Sequence, residues 1–546
     1  MKNNYSNGPL MAVDALGRAL SDISCAPGKR EGKLVGIFYF IWLGEHGRHR
    51  PYDISKIVAE NPNAGFDLRP EVWGRIGAYH HWGEPLYGYY YSTDEWVVRR
   101  HMKLLIEADI DFLFFDTTNA VIYEDNAKLV MSILDEYRRE GFKIPKVMFY
   151  TNTRSGETVE RIYNAIYKEN YCPETWFCER GKPVIVGNYE DCQPFLRRYF
   201  RIKPAQWPNE ADKPGGWPWM DFTRPQRVFL DDDGNRETMS VSVAQHPQIK
   251  MGDSVLYGEK SNRGRGYHNG ENDPDPEAYK HGYNFAEQWE WALKIDPRIV
   301  LVTGWNEWVA GRWNGKPERP IMFVDCANYE YSRDIEMMRG GYFDNYLMQL
   351  ADYVRRFKGV EENKTFEDHE LAEYYNFSDG DFSRNCEGSG TVYTNYTQRN
   401  AINKIDIVSD NEYLTFTIHT KDEIDENRDG TWMKIYINTG KGINYDFVLN
   451  NTPCANGETT LAQIDEKFNA TDIARAEYTV CGNKLEIKVK KEALGLSSDF
   501  DIWFKVADSR EEICSFEDFY INGDVAPLGR WNYVYRVQNK DKTERT

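Results

Sequence analysis

The sequence has no apolar segment long enough to cross a membrane. No apolar run approaches the about 20 residues that a membrane-spanning helix needs. The first residues, beginning Met1-Lys2-Asn3-Asn4, also lack the apolar stretch that is typical of a secretory signal. We therefore expect a cytoplasmic protein that has no membrane partner.

Positive charge is scarce as well. The chain of 546 residues carries 67 Lys and Arg against 86 Asp and Glu, which gives a net charge of −19. This balance argues against a nucleic-acid-binding surface and against adhesion to anionic lipid. The nine cysteines are odd in number and lack the spacing of metal ligands, which predicts reduced thiols and neither a metal nor another cofactor. The oligomeric state is left open.

Aromatic residues, in contrast, are abundant. They make up 14% of the chain and include 16 Trp and 36 Tyr, a richness that suits a sugar-binding cleft better than a plain scaffold. The length is sufficient for more than one domain. These features favour a large protein that contacts carbohydrate.

The stretch Ile299–Trp313 contains the strongest functional signal. It begins as a continuous apolar run, which predicts a strand buried on both faces, and then reads Gly304-Trp305-Asn306-Glu307-Trp308. A carboxylate and an amide thus lie between two indoles, just past the end of a strand. Glu307 is therefore the first candidate catalytic residue, although structural roles for this acid and both indoles are the alternative.

Strand-like and helix-like segments alternate through the first 359 residues. Five short apolar runs are the clearest predicted strands: Leu34–Trp42, Ile110–Asp116, Pro145–Tyr150, Pro183–Gly187 and Ile299–Val302. Repeated strand–helix units imply a parallel sheet. We therefore predict an α/β fold of the (β/α)₈ TIM-barrel type for residues 1–359, with catalytic groups at the C-terminal ends of the strands.

Several polar and aromatic residues follow or end these predicted strands. His80 and His81 are adjacent and cannot face one metal ion, so a polar loop that lines the cleft is the better interpretation. The acidic run at 231–235 predicts a hairpin turn rather than a calcium loop. The predicted substrate-binding residues are Tyr39, Trp42, His81, Trp82, Tyr150, Asp221, His246, His268, Trp305, Asn306 and Trp308.

Beyond residue 359 the pattern changes to an alternation of apolar and polar residues. A charged linker at 360–368 is followed by short alternating runs such as Tyr413–Ile418 and Lys484–Val489. This pattern predicts an all-β sandwich at residues 369–546.

Both parts resemble known families. Asn306–Gly311 resembles the N-E-W-H-E-G motif of glycoside hydrolase family 99, the endo-α-mannosidase group, and Gly88–Asp111 resembles a second motif of that family. The resemblance implies a (β/α)₈ fold, a carbohydrate substrate and chemistry without a metal. Asp429–Met433 loosely resembles the signature of family 9 carbohydrate-binding modules, which implies that the sandwich either binds sugar or supports the barrel.

One departure from the family motif limits what the resemblance implies about catalysis. The family has two Glu three residues apart; the first matches Glu307, but the second matches Ala310, which cannot exchange a proton. We predict a glycoside hydrolase that degrades a glycan or oligosaccharide with Glu307 and a second carboxylate. Glu330 is the first choice for that carboxylate, because the next predicted strand precedes it, and Asp116 is the reserve. The alternatives are a non-catalytic carbohydrate-binding protein and an enzyme that transfers a sugar.

Overall fold

The computed structural model describes residues 5–48, 50–379, 383–428 and 431–539. The strands of its first part are β1 (Leu34–Tyr39), β2 (Tyr79–His81), β3 (Phe112–Thr117), β4 (Lys146–Thr151), β5 (Cys178–Glu179), β6 (Lys182–Gly187), β7 (Arg201–Gln206), β8 (Trp217–Pro218), β9 (Phe229–Leu230), β10 (Arg236–Ser242), β11 (Tyr267–His268), β12 (Glu271–Asn272), β13 (Ile299–Thr303), β14 (Val309–Gly311), β15 (Trp313–Lys316) and β16 (Arg319–Met322). The α-helices there are α1 (Ile54–Glu60), α2 (Pro70–Trp73), α3 (Glu95–Glu107), α4 (Glu124–Glu140), α5 (Ser155–Ile162), α6 (Pro194–Tyr199), α7 (Met251–Leu256), α8 (Tyr283–Ile295) and α9 (Asn345–Lys358).

The first large sheet is mainly parallel. Its strand order is β8-β7-β6-β4-β3-β1-β13-β10-β9, and β9 and the short β5 are the antiparallel members. The five strands predicted from apolar runs are confirmed, and they are consecutive neighbours at its centre. All five residues of β13 are buried, as expected for a strand covered on both faces.

The predicted (β/α)₈ barrel, by contrast, is wrong. With 21% helix against 31% strand, the chain is sheet-rich and forms two nearly closed, barrel-like sheets, neither of them surrounded by helices. In the first sheet, no α-helix connects β7 to β8 or β8 to β10, and the hydrogen-bonded order ends at β8 and β9 within the described residues. The cause is local, because residues 207–235 contain Pro208, Pro214, Pro218 and Pro225 together with several Gly and Asp, and this composition favours turns over helices.

Two helix ends show how the sequence determines local structure. Helix α3 begins after Asp94, whose side chain accepts a hydrogen bond from the Val97 N–H. Helix α4 ends at Glu140 and is followed by the C-cap Gly141, whose φ of 122° favours glycine. The acidic run at 231–235 forms the predicted turn between β9 and β10.

The second large sheet is formed by the C-terminal part of the chain. Its elements are β17 (Thr365–Phe366), β18 (Ala372–Tyr375), β19 (Arg384–Gly388), β20 (Thr391–Asn395), β21 (Ile402–Ser409), β22 (Tyr413–Thr420), β23 (Lys434–Asn438), β24 (Phe447–Leu449), β25 (Glu458–Ile464), β26 (Ala470–Cys481), β27 (Lys484–Lys490), β28 (Phe500–Asp508), α10 (Asp518–Ile521), β29 (Asp524–Ala526) and β30 (Tyr533–Val537). Strands β19 and β20 form a separate hairpin.

This part is not a sandwich of two sheets. Twelve strands form one continuous sheet in the order β17-β30-β28-β23-β24-β25-β26-β27-β22-β21-β18, with β29 paired to β28. The predicted alternation is present, since every second residue of β22 is buried. The segment 360–368, predicted as a linker, contributes the edge strand β17. The division of the chain into domains stays a prediction, because buried residues of both parts belong to one hydrophobic cluster.

No helix in the described ranges is long and apolar enough to cross a membrane.

Candidate active site

A cleft lies at the C-terminal ends of β1, β3 and β13 and is lined mainly by aromatic and acidic residues. Its volume is about 250 Å³. The residues around it are Phe38, Phe40, Trp42, Tyr79, Asp116, Thr118, Asn119, Trp207, Trp219, Glu307, Val309, Ala310, Gly311, Trp313, Val324 and Asp325. Three carboxyl groups and four indoles therefore surround one space.

Glu307 is held in the cleft wall by the loop that follows β13. The Trp305 N–H donates to the carbonyl of Phe38 in β1 at 2.8 Å, and the Glu307 N–H donates to the Asp334 carboxylate. Only 8% of Glu307 is exposed, and its Oε2 accepts a hydrogen bond from Arg333 Nη2 at 2.7 Å. Its position is thus fixed through both backbone and side chain.

Arg333 connects the two acids of this wall. The nitrogen that contacts Glu307 also lies 3.0 Å from Asp325 Oδ1. Its other terminal nitrogen is 3.1 Å from His246 Nδ1, and the guanidinium lies 5.1 Å from the ring centre of Trp219. Arg333 is almost fully buried, so these contacts are shielded from solvent.

The environments of these two acids shift their pKa values in opposite directions. Burial raises the pKa of Glu307 well above its usual range, and the neighbouring Asp325 and Asp334 add to this against the opposing charge of Arg333. Burial also acts to raise the pKa of Asp325, but the charge of Arg333, with a smaller contribution from Lys250, lowers the pKa of that carboxyl below its usual range. One acid is therefore held protonated and its neighbour ionised, the division of roles that acid–base catalysis requires.

Asp116 is the third carboxyl group of the cleft. Its side chain accepts hydrogen bonds from Trp42 Nε1 at 2.8 Å and from the Thr118 N–H at 3.0 Å. Burial raises its pKa, and the nearby charge of Asp325 acts in the same direction. Asp116 was predicted at this end of β3, and it lines the same cleft as Glu307.

Four tryptophans form the aromatic surface of the cleft. Trp207 and Trp219 meet edge to face with ring centres 5.4 Å apart, and Trp207 is fixed by a 2.8 Å hydrogen bond to Asn152. Trp42 is nearly buried, whereas Trp313 is 45% exposed. Of these four, only Trp42 was predicted as a substrate contact.

The two indoles beside Glu307 are not part of the cleft, and this corrects the prediction. Trp305 and Trp308 are fully buried. Trp308 stacks on Trp82 with ring centres 4.4 Å apart and donates to Glu336. The neighbouring Asn306 bonds both the N–H and the carbonyl of Phe40, at 2.9 and 3.0 Å. These residues therefore fix the position of the loop that carries Glu307, and they offer no exposed surface to a substrate.

Glu330, the preferred second carboxylate, also lies away from the cleft. Its Oε1 accepts a hydrogen bond from the Gly266 N–H at 3.1 Å, and it is absent from the cleft lining. The prediction assumed that 320–324 is a strand of the large sheet. In the structure, β16 pairs antiparallel with β15 in a separate hairpin, so Glu330 is not at the expected edge.

Two other predicted contacts point elsewhere. Asp221 is buried against Arg227, which donates to it from the side chain at 2.9 Å and from the backbone at 2.7 Å. The His268 ring lies near the Gly266 carbonyl and packs on Tyr283. Both residues hold loops, and neither lines the cleft.

The remaining predicted residues surround the cleft at different depths. Tyr39 is hydrogen-bonded to His101 at 2.9 Å, and Tyr150 donates to the Trp217 carbonyl at 2.8 Å; neither residue lines the cleft. His81 lines a smaller neighbouring pocket. His246 contacts Arg333, and burial, reinforced by Arg333, lowers its pKa to about 4, so the imidazole is neutral.

Sequence reasoning did not assign a role to Asp325. Its pairing with Arg333 depends on a loop without periodicity, where no pattern predicts which side chains meet. In the described residues, no three His, Cys, Asp or Glu side chains form a group that could hold a metal ion. Asp429 and Gly430 of the predicted sugar-module signature lie outside the described residues.

Comparison with known proteins leaves the cleft itself as the main guide to function. The chain matches no family model, and no curated protein matches its sequence. The resemblance to glycoside hydrolase family 99 therefore stays a prediction that depends on the motifs quoted above.

Proposed function

We propose that this protein is a glycoside hydrolase in which Glu307 is the general acid and Asp325 is the ionised carboxylate. One observation carries the proposal: both groups contact the same nitrogen of Arg333, yet their pKa values are shifted in opposite directions. Both acids lie in the wall of a cleft lined by four indoles, whose apolar faces suit the faces of sugar rings.

The spacing of the two acids favours a mechanism with retention of configuration. Since both contact Arg333 Nη2, at 2.7 and 3.0 Å, their contacting oxygens are less than about 6 Å apart, which is below the ~6.5–9.5 Å of inverting enzymes and compatible with the ~5–5.5 Å of retaining ones. In the first step, Glu307 gives its proton to the glycosidic oxygen as the C1–O bond breaks. The Asp325 carboxylate forms a bond to C1 in that step.

The second step returns both residues to their starting states. The Glu307 carboxylate accepts a proton from water, and the water oxygen bonds to C1 as the bond from Asp325 breaks. Arg333 keeps Asp325 ionised between turnovers. Asp116, which lines the same cleft, supplies an acceptor for a sugar hydroxyl, and Trp42 fixes its orientation.

The experiment that tests this function is Glu307→Gln, which keeps the shape of the side chain and removes its proton exchange. A screen for released sugar over plant, host and microbial glycans first identifies a substrate. We expect the variant to lose about 10²–10⁴-fold in kcat, the usual contribution of a general acid–base group. Turnover within about tenfold of the wild type would show that Glu307 is not catalytic.

A second candidate function is carbohydrate binding without cleavage. The observation that favours it is Ala310, which lines the cleft at the position where the resembled family has its second Glu. If no glycan is turned over, and saccharide binding survives Glu307→Ala, this alternative replaces the hydrolase.

A further inference from the structure

A second, smaller pocket adjoins the cleft. Its wall includes Trp42, His46, Tyr79, Tyr91, Val309 and Ser389. Trp42, Tyr79 and Val309 also line the cleft, so the two spaces adjoin each other. Ser389 comes from the turn of the β19–β20 hairpin, and the C-terminal part of the chain therefore completes this pocket.

The β19–β20 hairpin is held firmly in place. Arg384 Nη2 lies 2.7 Å from the Asp94 carboxylate, and both side chains are buried. The Ser389 N–H donates to the Tyr89 carbonyl at 2.8 Å, while the Tyr89 N–H donates to the Tyr393 hydroxyl at 2.9 Å. A Cβ atom at Gly388 would lie 2.7 Å from the Tyr89 carbonyl oxygen, which shows how closely the hairpin approaches this segment. The position of Ser389 is thus fixed relative to the cleft.

The pocket has the size and chemistry for one small polar group. Its volume is about 20 Å³, enough for a single group the size of a water molecule. The Ser389 hydroxyl makes no hydrogen bond to any described residue, although only 7% of the residue is exposed. The His46 ring stacks on Tyr79, and burial lowers its pKa, so the imidazole is neutral. An uncharged hydroxyl group suits this lining better than an ion.

We propose that this pocket binds the terminal hydroxyl of the hydroxymethyl group of a hexose whose ring lies in the cleft, with Ser389 as its hydrogen-bonding partner. This inference rests on the proposed function, because it places a sugar beside Glu307. It assigns the C-terminal part of the chain a role in substrate selection. A pentopyranoside lacks the hydroxymethyl group, so the protein selects hexosides over pentosides.

The test is saturation-transfer NMR on the full chain with matched methyl glycosides. The ligands are both anomers of methyl glucoside, mannoside and galactoside, each with the pentoside that lacks its hydroxymethyl group. We expect the H6 protons of at least one hexoside to receive strong saturation, and the matched pentoside to bind more weakly. Ser389→Leu should fill the pocket and weaken hexoside binding by about tenfold or more, as expected for a group lost from a shaped pocket, without affecting the pentoside.

Thr394→Leu is the matched control, because it adds a similar side chain at an exposed position of the same hairpin. It should leave both ligands unaffected. Equal binding of hexosides and pentosides, or unchanged hexoside binding in folded Ser389→Leu, overturns the proposal. If no sugar binds to the wild type, both the proposed pocket role and the proposed hydrolase activity are wrong. If a hexoside binds through Ser389 without being cleaved, the pocket role is supported and the hydrolase activity is wrong. If cleavage occurs and Ser389→Leu has no effect, the hydrolase activity is supported and the pocket role is wrong.

Discussion

Arg333 is the residue that divides the roles of the two acids. It contacts Glu307 and Asp325 through a single nitrogen, and the more deeply buried Glu307 keeps its proton while Asp325 gives its proton up. The other terminal nitrogen of the guanidinium contacts Nδ1 of His246, whose imidazole is neutral. Arg333 therefore acts as a positioning residue whose influence should be visible in pH dependence.

At this scale the first prediction concerns His246. Activity should fall below about pH 4 as Asp325 becomes protonated, since the pKa of Asp325 is below its ordinary value of about 3.9, and it should fall again at high pH as Glu307 ionises. Arg333 lowers the pKa of both acids, so His246→Ala, which frees Arg333, should move both limbs of the pH–rate profile to higher pH. His246→Asn retains an acceptor near Nδ1 and should restore the wild-type limbs.

A purely structural role for His246 would lower the melting temperature in both variants without moving the limbs. That outcome, measured by a kcat/KM profile with the substrate found in the screen, would contradict the positioning role.

The sequence indicated Glu307 but not its partner, and the reason is physical. Glu307 follows a buried strand, and such a position can be located from apolar periodicity. Asp325 and Arg333 lie on either side of an irregular loop, where no period predicts which side chains meet. Glu330 and Asp325 are five positions apart in that loop, and only the hairpin of β15 and β16 determines which of them reaches the cleft.

At the scale of elements, the loop between β13 and β14 is fixed by buried contacts, whereas the hairpin of β15 and β16 begins with an exposed residue. Within this loop, Trp308 stacks on Trp82, and Asn306 is hydrogen-bonded to Phe40, which directly follows β1. Trp313 begins the β15 hairpin and is 45% exposed at the cleft. Two tryptophans only five residues apart thus lie in different environments, one fully buried and one exposed at the cleft. Under the proposed function we expect the first to stabilise the fold and the second to contact saccharide.

Alanine substitution of each tryptophan tests this difference. Trp308→Ala leaves a cavity and should lower the free energy of unfolding by about 3–5 kcal/mol. Trp313→Ala should change it by about 0.5 kcal/mol or less, as at other surface sites, yet weaken saccharide binding. Denaturant unfolding and saccharide titration measure the two effects. A stable Trp308→Ala, or a Trp313→Ala that binds saccharide like the wild type, contradicts these assignments.

The elements also show where sequence patterns stop predicting the fold. Continuous apolar runs located β1, β3, β4, β6 and β13, because a strand covered on both faces has no polar side. The prediction of a (β/α)₈ barrel is wrong at residues 207–235, where prolines and turn residues occur in place of helices. The prediction of a sandwich is wrong because the alternation of apolar and polar residues determines which face of a strand is buried, and not whether the strands form one sheet or two.

At the scale of the whole molecule, burial of acids affects stability as well as chemistry. Burial raises the pKa of Asp334 to about 7, and the pKa of Glu307 is raised well above its ordinary value by burial too. In the folded state these groups bind protons that the unfolded chain has released. Their contribution to stability is therefore complete below about pH 4, the ordinary carboxyl range, and decreases as the pH rises through their folded-state pKa values.

This decrease in stability with rising pH leads to a prediction for Glu307→Gln. The melting temperature of the variant relative to the wild type should increase as the pH is raised from about 4 toward neutrality, because the variant no longer has a buried acid to ionise. Calorimetry or circular dichroism at matched ionic strength measures this difference. Glu423→Gln, at an exposed site, controls for the loss of one negative charge. A difference that decreases with rising pH would contradict the raised pKa of Glu307.

The most direct test of the whole account is the configuration of the first product formed from a cleaved glycan. Glu307 and Asp325 are close enough for a covalent intermediate on Asp325, so ¹H NMR in the first minutes should show the released sugar with the anomeric configuration of the bond that was cleaved. Asp325→Asn should abolish this product. Initial appearance of the opposite anomer, or the same product rate from Asp325→Asn, would contradict the account.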